Sequence, residues 1–268
     1  MGGMMAQPYG KTQIEIGYVI SRTFATIGAN FPVFLLLSVL FAGIPAVVVG
    51  YITQAILWPA LMSGDPSTYI GTMYLVQIGS WLLLVIPTYV LIGALTHGSV
   101  VYLSGGKASL GNCLGTGFGR SLPLLALGLL SSLGVAFFLL LLIVPGIMAI
   151  VRWSVAAPAL VVERTGIIES FKRSGELTRG SRWGIFGLIV VWGIASYIFE
   201  LCITAAVSFG FTSMTLFDNA AIWMFAIITG VNSAVTNMIA AAGSAALYTE
   251  LREIKDGATS TELAKVFE

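Results

Sequence analysis

The sequence predicts an all-α fold, a polytopic membrane helical bundle of about six transmembrane helices. Three observations predict it. Hydrophobic residues make up 57% of the 268 residues and charged residues only 9%, whereas a soluble domain carries about 25% charged residues. Mean hydropathy is +0.94, so lipid must face much of the surface. Finally, Thr23–Gly64, Pro66–Gly106, Ser121–Val151 and Asn219–Thr249 contain no Asp, Glu, Lys or Arg. A run of about 20 apolar residues is enough to cross a ~30 Å hydrocarbon core as a helix. The ~10-residue alternating segments of a membrane barrel are absent.

The pattern places span one at about 31–54, with Pro45 inside, and span two at about 74–103, with Pro87 inside. Span three follows at about 121–143. Pro145-Gly146 then predicts a tight turn, because proline cannot continue a helix and glycine relaxes the backbone. Spans four, five and six fall at about 147–163, 183–208 and 221–249. The membrane domain covers 1–252, and 253–268 reads as a polar cytoplasmic tail.

Three spans open on a similar pattern: Gly28-Ala29-Asn30-Phe31-Pro32, Gly119-Arg120-Ser121-Leu122-Pro123 and Gly180-Ser181-Arg182-Trp183-Gly184. Glycine suits a helix end, and Pro or Gly suits the next first turn. This predicts three units, each a short interfacial helix followed by a membrane hairpin. The interfacial helices are expected at about 12–28, 108–119 and 166–179. In the third, Ile167, Ile168, Phe171, Gly175 and Thr178 share an apolar face directed at the acyl region. Glu169–Arg173 and Lys172–Glu176 are i,i+4 pairs on the other face.

The basic residues predict orientation. Lys11, Arg22, Lys107, Arg120, Arg164, Lys172, Arg173, Arg179, Arg182, Arg252, Lys255 and Lys265 all fall on one side of a six-span chain, whereas the opposite loops carry Asp65 and Asp218. By the positive-inside rule both termini are cytoplasmic. The first span is expected to act as an uncleaved signal, because Met1–Gly10 has no basic cluster. A net charge of +1 excludes a field that would recruit nucleic acid.

Two ionisable residues fall inside spans, Arg152 and Glu200. A charge at depth is costly, so such residues usually pair or face water. The two are expected to face each other, either as an ion or headgroup pathway or as a packing salt bridge. His97, Asn232 and Asn237 form a second candidate polar cluster, for interhelical hydrogen bonding or for a solute. The Ala240–Ala246 run of small residues is a packing seam, within the chain or between copies. Lys172, Arg173, Arg179 and Arg182 are candidate lipid-headgroup contacts. Cys113 and Cys202 make no CxxC, so neither a disulfide framework nor a metal site is expected. No phosphate loop, dinucleotide fingerprint, HExxH or GxSxG is present. No cofactor and no enzymatic activity are expected.

Pro145-Gly146-Ile147, Val151-Arg152-Trp153-Ser154, Ala157-Pro158-Ala159-Leu160-Val161-Val162-Glu163 and Ser170-Phe171-Lys172-Arg173-Ser174-Gly175-Glu176-Leu177-Thr178-Arg179-Gly180 form a distinctive series. With the closing Ala245-Ala246-Leu247-Tyr248-Thr249-Glu250-Leu251-Arg252, it resembles the membrane domain attached to some glycerophosphoryl diester phosphodiesterases and the related stand-alone bacterial membrane proteins. The resemblance is most specific over 145–185. It implies a helical integral protein of the bacterial inner membrane and little assigned activity. The phosphodiesterase chemistry belongs to a separate soluble barrel with a His-Arg motif. Here His97 precedes Gly98, so hydrolase activity is not carried over.

The expectation is therefore a non-catalytic inner-membrane protein that organises membrane, associates with lipid or binds a partner. Its expected partners are membrane lipids and a second copy or other membrane proteins. The alternative is a transporter or channel for a small or lipidic solute, built on Arg152–Glu200. Internal repeats, which are frequent among transporters, keep that alternative open.

Overall fold

Caps and prolines mark where several of the helices begin. The structure, a computed structural model, describes residues 14–210 and 219–257. Residues 12–13 of the first predicted interfacial helix, 211–218 of the far loop and 258–268 of the tail lie outside the described residues. The described chain is an all-α bundle, and six of its helical stretches are long and apolar enough to cross a membrane.

Helix α1 (Ile16–Ala29) ends at Asn30, whose Nδ2 donates to the Thr26 carbonyl at 3.0 Å. The Asn30 Oδ1 accepts from the Ala108 amide at 3.3 Å, which ties this corner to a distant loop. The rod α2 (Phe31–Met62) runs past the predicted end at 54. Two π-helical turns, Val39–Gly43 and Thr53–Leu57, precede Pro45 and Pro59. A proline removes an amide donor and crowds the preceding turn, and a widened turn lets the helix continue.

Helix α3 (Pro66–Leu103) starts eight residues before the predicted 74 because Asp65 caps it. Its carboxylate accepts from the amides of Ser67 at 3.1 Å and Thr68 at 3.2 Å, and Pro66 fits the first turn. Helix α4 (Leu110–Leu141) is one rod. The predicted interfacial helix 108–119 is thus continuous with span three. The break expected around Gly119–Pro123 does not form, because packing outweighs the local signal. A methyl on Gly93 would stand 3.1 Å from Leu124 Cδ1 and 3.2 Å from Gly117 Cα, so the two helices touch across glycine.

The turn into α5 (Ile143–Trp153) is a single extended residue, Leu142. Pro145-Gly146, expected to be the turn, sits in the first helical turn instead, where a missing amide donor costs nothing. Gly146 packs on Leu139 of α4. The predicted fourth span is broken at Ser154–Val155, and α6 (Ala156–Glu163) follows. Nearly all of α6 is buried, from Pro158 to Val162 without interruption.

Arg164 ends α6 in the left-handed region at φ 52°, and the chain reverses into α7 (Ile167–Leu177). The buried face of α7 is Ser170, Ser174 and Leu177. Ile168, on the face expected to meet the acyl region, is 65% exposed. The hydroxyls can be buried because Ser170 donates to the Gly166 carbonyl at 2.8 Å and Ser174 to the Arg152 carbonyl at 2.7 Å. The latter carbonyl is left open where α5 stops.

Helices α8 (Arg182–Gly210) and α9 (Asn219–Asp256) complete the bundle. Helix α9 extends beyond the predicted 249, so Glu253 and Asp256, expected in the tail, are helical. The small-residue seam packs inside the chain: Ala241 and Ala242 against Phe34, Leu91 and Leu95, and Ala245 and Ala246 against Val19 and Val100. One core cluster gathers Val19, Val100, Val151, Ala159, Leu177, Ile185 and Leu251, so α1, α3, α5, α6, α7, α8 and α9 converge there. This convergence lies at the end of the bundle where the basic residues collect, here called the basic end.

Candidate functional site

Two polar assemblies hold the basic end together. The first forms where α7 folds back along α6. Arg173 Nε donates to both Glu163 oxygens, at 2.8 and 3.1 Å, and its Nη2 donates to Asp256. Tyr248 Oη on α9 donates to Glu163 Oε1 at 2.8 Å. Arg252 Nε stands 3.7 Å from Asp256. Burial disfavours the charge on Arg173, but its bonds to Asp256 and Glu163 outweigh that and raise its pKa above the ordinary arginine value.

The second assembly joins α1 to α9. Arg22 Nη1 lies 3.3 Å from Glu250 Oε2, and its Nη2 donates to Glu253 Oε1 at 2.9 Å. The Arg22 guanidinium also lies 5.1 Å from the centre of the Tyr18 ring. Glu250 is 1% exposed, and the Arg22 guanidinium offsets its charge. Burial again opposes the charge on Arg22, and the Glu253 carboxylate offsets it, leaving the pKa raised.

The sequence-predicted residues distribute unevenly. Arg173, a candidate headgroup contact, pairs with Glu163 and Asp256 rather than with Glu169. Glu169 instead folds back over Gly166 at the start of α7. Lys172, Arg179 and Arg182 are exposed and make no ion pair among the described residues. Lys255 joins them, its Nζ 3.6 Å from where a methyl on Gly180 would stand. Gly180 itself has φ 93°, the left-handed turn that starts α8. Trp183, 86% exposed, stands beside this group.

Arg152 and Glu200 do not meet. The Arg152 Nε lies 2.8 Å from the position of a methyl on Gly175, so this arginine crosses α7 where glycine leaves room. Ile185 on α8 shares a core cluster with Val151. Glu200 is 15 residues beyond Ile185, about 22 Å along a helix at 1.5 Å per residue. It is exposed. The two charges sit at different levels of the bundle, beyond the reach of an arginine side chain.

The predicted amide cluster is satisfied locally. Asn237 Nδ2 donates to the Ser233 carbonyl at 2.8 Å, and Thr236 Oγ1 donates to Asn232 Oδ1 at 3.3 Å, both within α9. His97 is half-buried on α3, within electrostatic range of Arg164.

Glu163, Tyr248 and Glu250 organise the site, yet composition and span counting did not single them out. Glu163 and Tyr248 lie in the two stretches that carry the family resemblance, and the fold brings those stretches into contact. Chemically, the assemblies are clamps of carboxylates matched to guanidiniums. Among the described residues, no group of three or more His, Cys, Asp or Glu side chains could hold a metal.

These features define a multi-pass, all-α membrane protein whose helices are joined at one end by part-buried ion pairs. The chain belongs to the family described as "Domain of unknown function (DUF7847)", whose family model matches residues 19–251. No curated protein matches it. No solved structure matches it either.

Proposed function

We propose that this chain is a non-catalytic lipid-associated module of the bacterial inner membrane, with both termini in the cytoplasm. The observation that carries this reading is the exposed set Lys172, Arg179, Arg182 and Lys255, of which Arg179, Arg182 and Lys255 gather at the Gly180 turn next to Trp183. Arg22 and Arg173 are consumed by internal carboxylates, whereas these four make no ion pair among the described residues. Cations beside an interfacial tryptophan suit an anionic headgroup layer, at about 1 kcal/mol per Lys or Arg near such a surface.

The organisation favours a scaffold. We read α1 and α7 as amphipathic helices that open repeated units, with the middle lead helix fused into α4. The likeness to the membrane domain of glycerophosphoryl diester phosphodiesterases supports the same reading, since that domain is separate from the hydrolase. A second copy or another membrane protein remains the natural protein partner. The transporter alternative rests on an Arg152–Glu200 pair, an amide stretch at Asn232–Asn237 and internal repeats; the separation of Arg152 from Glu200 removes the first of these supports.

The test is native mass spectrometry of the full chain in nanodiscs of mixed phosphatidylglycerol and phosphatidylcholine. The wild type should retain the anionic lipid selectively. The variant K172A/R179A/R182A/K255A should lose that selectivity by about tenfold or more. Equal retention of both lipids by the wild type, or an unchanged variant, would defeat the proposal. Labelling of a cysteine at position 172 from the periplasmic side would defeat the topology.

A further inference from the structure

Helix α8 is the least attached helix of the bundle. Its base touches the start of α1 and the residue pair before it: a methyl on Gly184 would lie 3.6 Å from Ile14 Cβ, and one on Gly187 would lie 3.1 Å from Ile16 Cδ1. Beyond that contact the helices part, and only 6% of the most apolar window of Arg182–Ala205 is buried. Between α1, α8 and α9 lies a cavity of about 370 Å³, within the usual range of ligand pockets of about 300–1,000 Å³.

The wall chemistry says what fits. Val19 and Phe24 of α1, Leu188 and Trp192 of α8, and Ile239 and Leu247 of α9 line it, and no charged residue does. Its three hydroxyls donate to backbone carbonyls one turn back. Thr23 donates to the Val19 carbonyl at 2.8 Å, Ser154 to Val151 at 2.9 Å and Ser244 to Ala241 at 3.0 Å. With those hydroxyls committed, the Trp192 indole N–H is the one donor the lining adds, on a wall that is otherwise hydrocarbon. A dry apolar cavity is filled by hydrocarbon.

Charge complementarity names the rest of the occupant. Arg182 begins the helix that walls the cavity, Arg179 precedes it, and Lys255 lies near the end of the opposite wall. We propose that the cavity holds one acyl chain of an anionic phospholipid, whose headgroup rests on Arg179, Arg182 and Lys255. Phospholipid is the abundant molecule in a bilayer that joins hydrocarbon to negative charge. This deepens the lipid-associated reading and rests on it for the headgroup alone. The bound chain would wedge α8 against α1 and α9 and supply the packing that α8 lacks.

The experiment is photo-crosslinking of the full chain in nanodiscs of phosphatidylglycerol carrying a diazirine in one acyl chain. Adducts are mapped by peptide mass spectrometry. Peptides spanning 188–195 and 239–247 should be labelled above the openly lipid-facing 78–86 stretch of α3. Gly243→Leu and, separately, Ala240→Phe fill the cavity and should abolish that excess while leaving the 78–86 labelling intact. That intact labelling, with a monodisperse profile in detergent, certifies folding. Should one variant fail to fold, the other decides. Labelling of the cavity peptides no greater than of 78–86, or an excess that survives a folded filling variant, overturns the proposal. A parallel run with diazirine-phosphatidylcholine separates the two ideas. Equal cavity labelling by both lipids overturns the assigned headgroup, whereas selective anionic-lipid retention without cavity labelling overturns the acyl-chain site alone.

Discussion

The phenolic hydroxyl of Tyr248 donates a 2.8 Å hydrogen bond to the Glu163 carboxylate across 85 positions of sequence. The same carboxylate oxygen accepts from Arg173 at 2.8 Å. One carboxylate thus joins α6, α7 and α9. Tyr248→Phe removes a donor and leaves the oxygen with less compensation inside a core, so it should cost about 1–3 kcal/mol. Glu163→Gln should cost as much or more, because it also leaves Arg173 with Asp256 as its remaining partner. The double variant should cost less than the sum of the two, since the residues share one network. Thermal unfolding in a mild detergent, read as a double-mutant cycle, checks this. Strict additivity would mean the bond contributes nothing.

Arg22 is the counter-charge of a carboxylate that is 1% exposed. Removing one partner of a buried pair is more damaging than removing both, because it strands the other charge. Arg22→Met should therefore destabilise by about 3 kcal/mol, the lower end for a broken buried pair. Glu250→Gln in that background should recover a large part of the loss. If the single and double variants melt at the same temperature, Glu250 is not being neutralised by Arg22.

Much of the architecture was legible in the sequence, because the bilayer imposes length and apolarity. The uncharged runs located the spans, and the clustering of Lys and Arg located one end of the bundle. Boundaries went astray where packing overruled a local signal. Pro123 and its glycine-rich approach read as a break, yet the Gly93–Gly117 contact carries α4 through. Pro145-Gly146 read as a turn, but it is equally suited to a first helical turn. The protein-facing side of α7 is not visible in the apolar pattern, because Ser170 and Ser174 score as polar. Their hydroxyls bond to carbonyls, one of which the break after Trp153 leaves open, and neither partner is visible in a periodicity. The site was less legible still. Arg173 has an acidic residue four positions away in Glu169, and the local rule chose it. The observed partners, Glu163 and Asp256, are set by how α7 turns back at Arg164.

The glycines of α4 are not equivalent. A methyl on Gly117 would stand 2.6 Å from the Val90 carbonyl oxygen and 3.1 Å from Ala94 Cβ, both on α3. Backbone cannot yield as a flexible side chain does, so Gly117→Ala should push α3 and α4 apart and cost about 1–3 kcal/mol. Gly111 and Gly115 have nothing within 4 Å of the same position. Alanine there should stabilise by about 0.5–1 kcal/mol through helix propensity. Comparing the three melting temperatures checks the contrast. A harmless Gly117→Ala would remove the close crossing from the account of α4.

Asp65 supplies a pH-dependent element outside the membrane. Hydrogen bonds from the Thr68 hydroxyl, then from the Ser67 hydroxyl and amide, hold its pKa at about 2, below the ordinary 3.8. A carboxyl whose folded value is depressed supports the helix fully above the ordinary value. That support fades as the pH falls from about 3.8 toward about 2. The capped start of α3 should therefore be intact at pH 5 and fray only in strong acid. Thr68→Val removes the strongest of these bonds and should move the Asp65 midpoint upward, toward 3.8. Carboxyl-carbon chemical shifts of Asp65, followed through an acid titration of the isotopically labelled protein in nanodiscs, report that midpoint directly. A wild-type midpoint already at the ordinary value, or one unmoved by Thr68→Val, would show that the side chain does not cap α3 in this way.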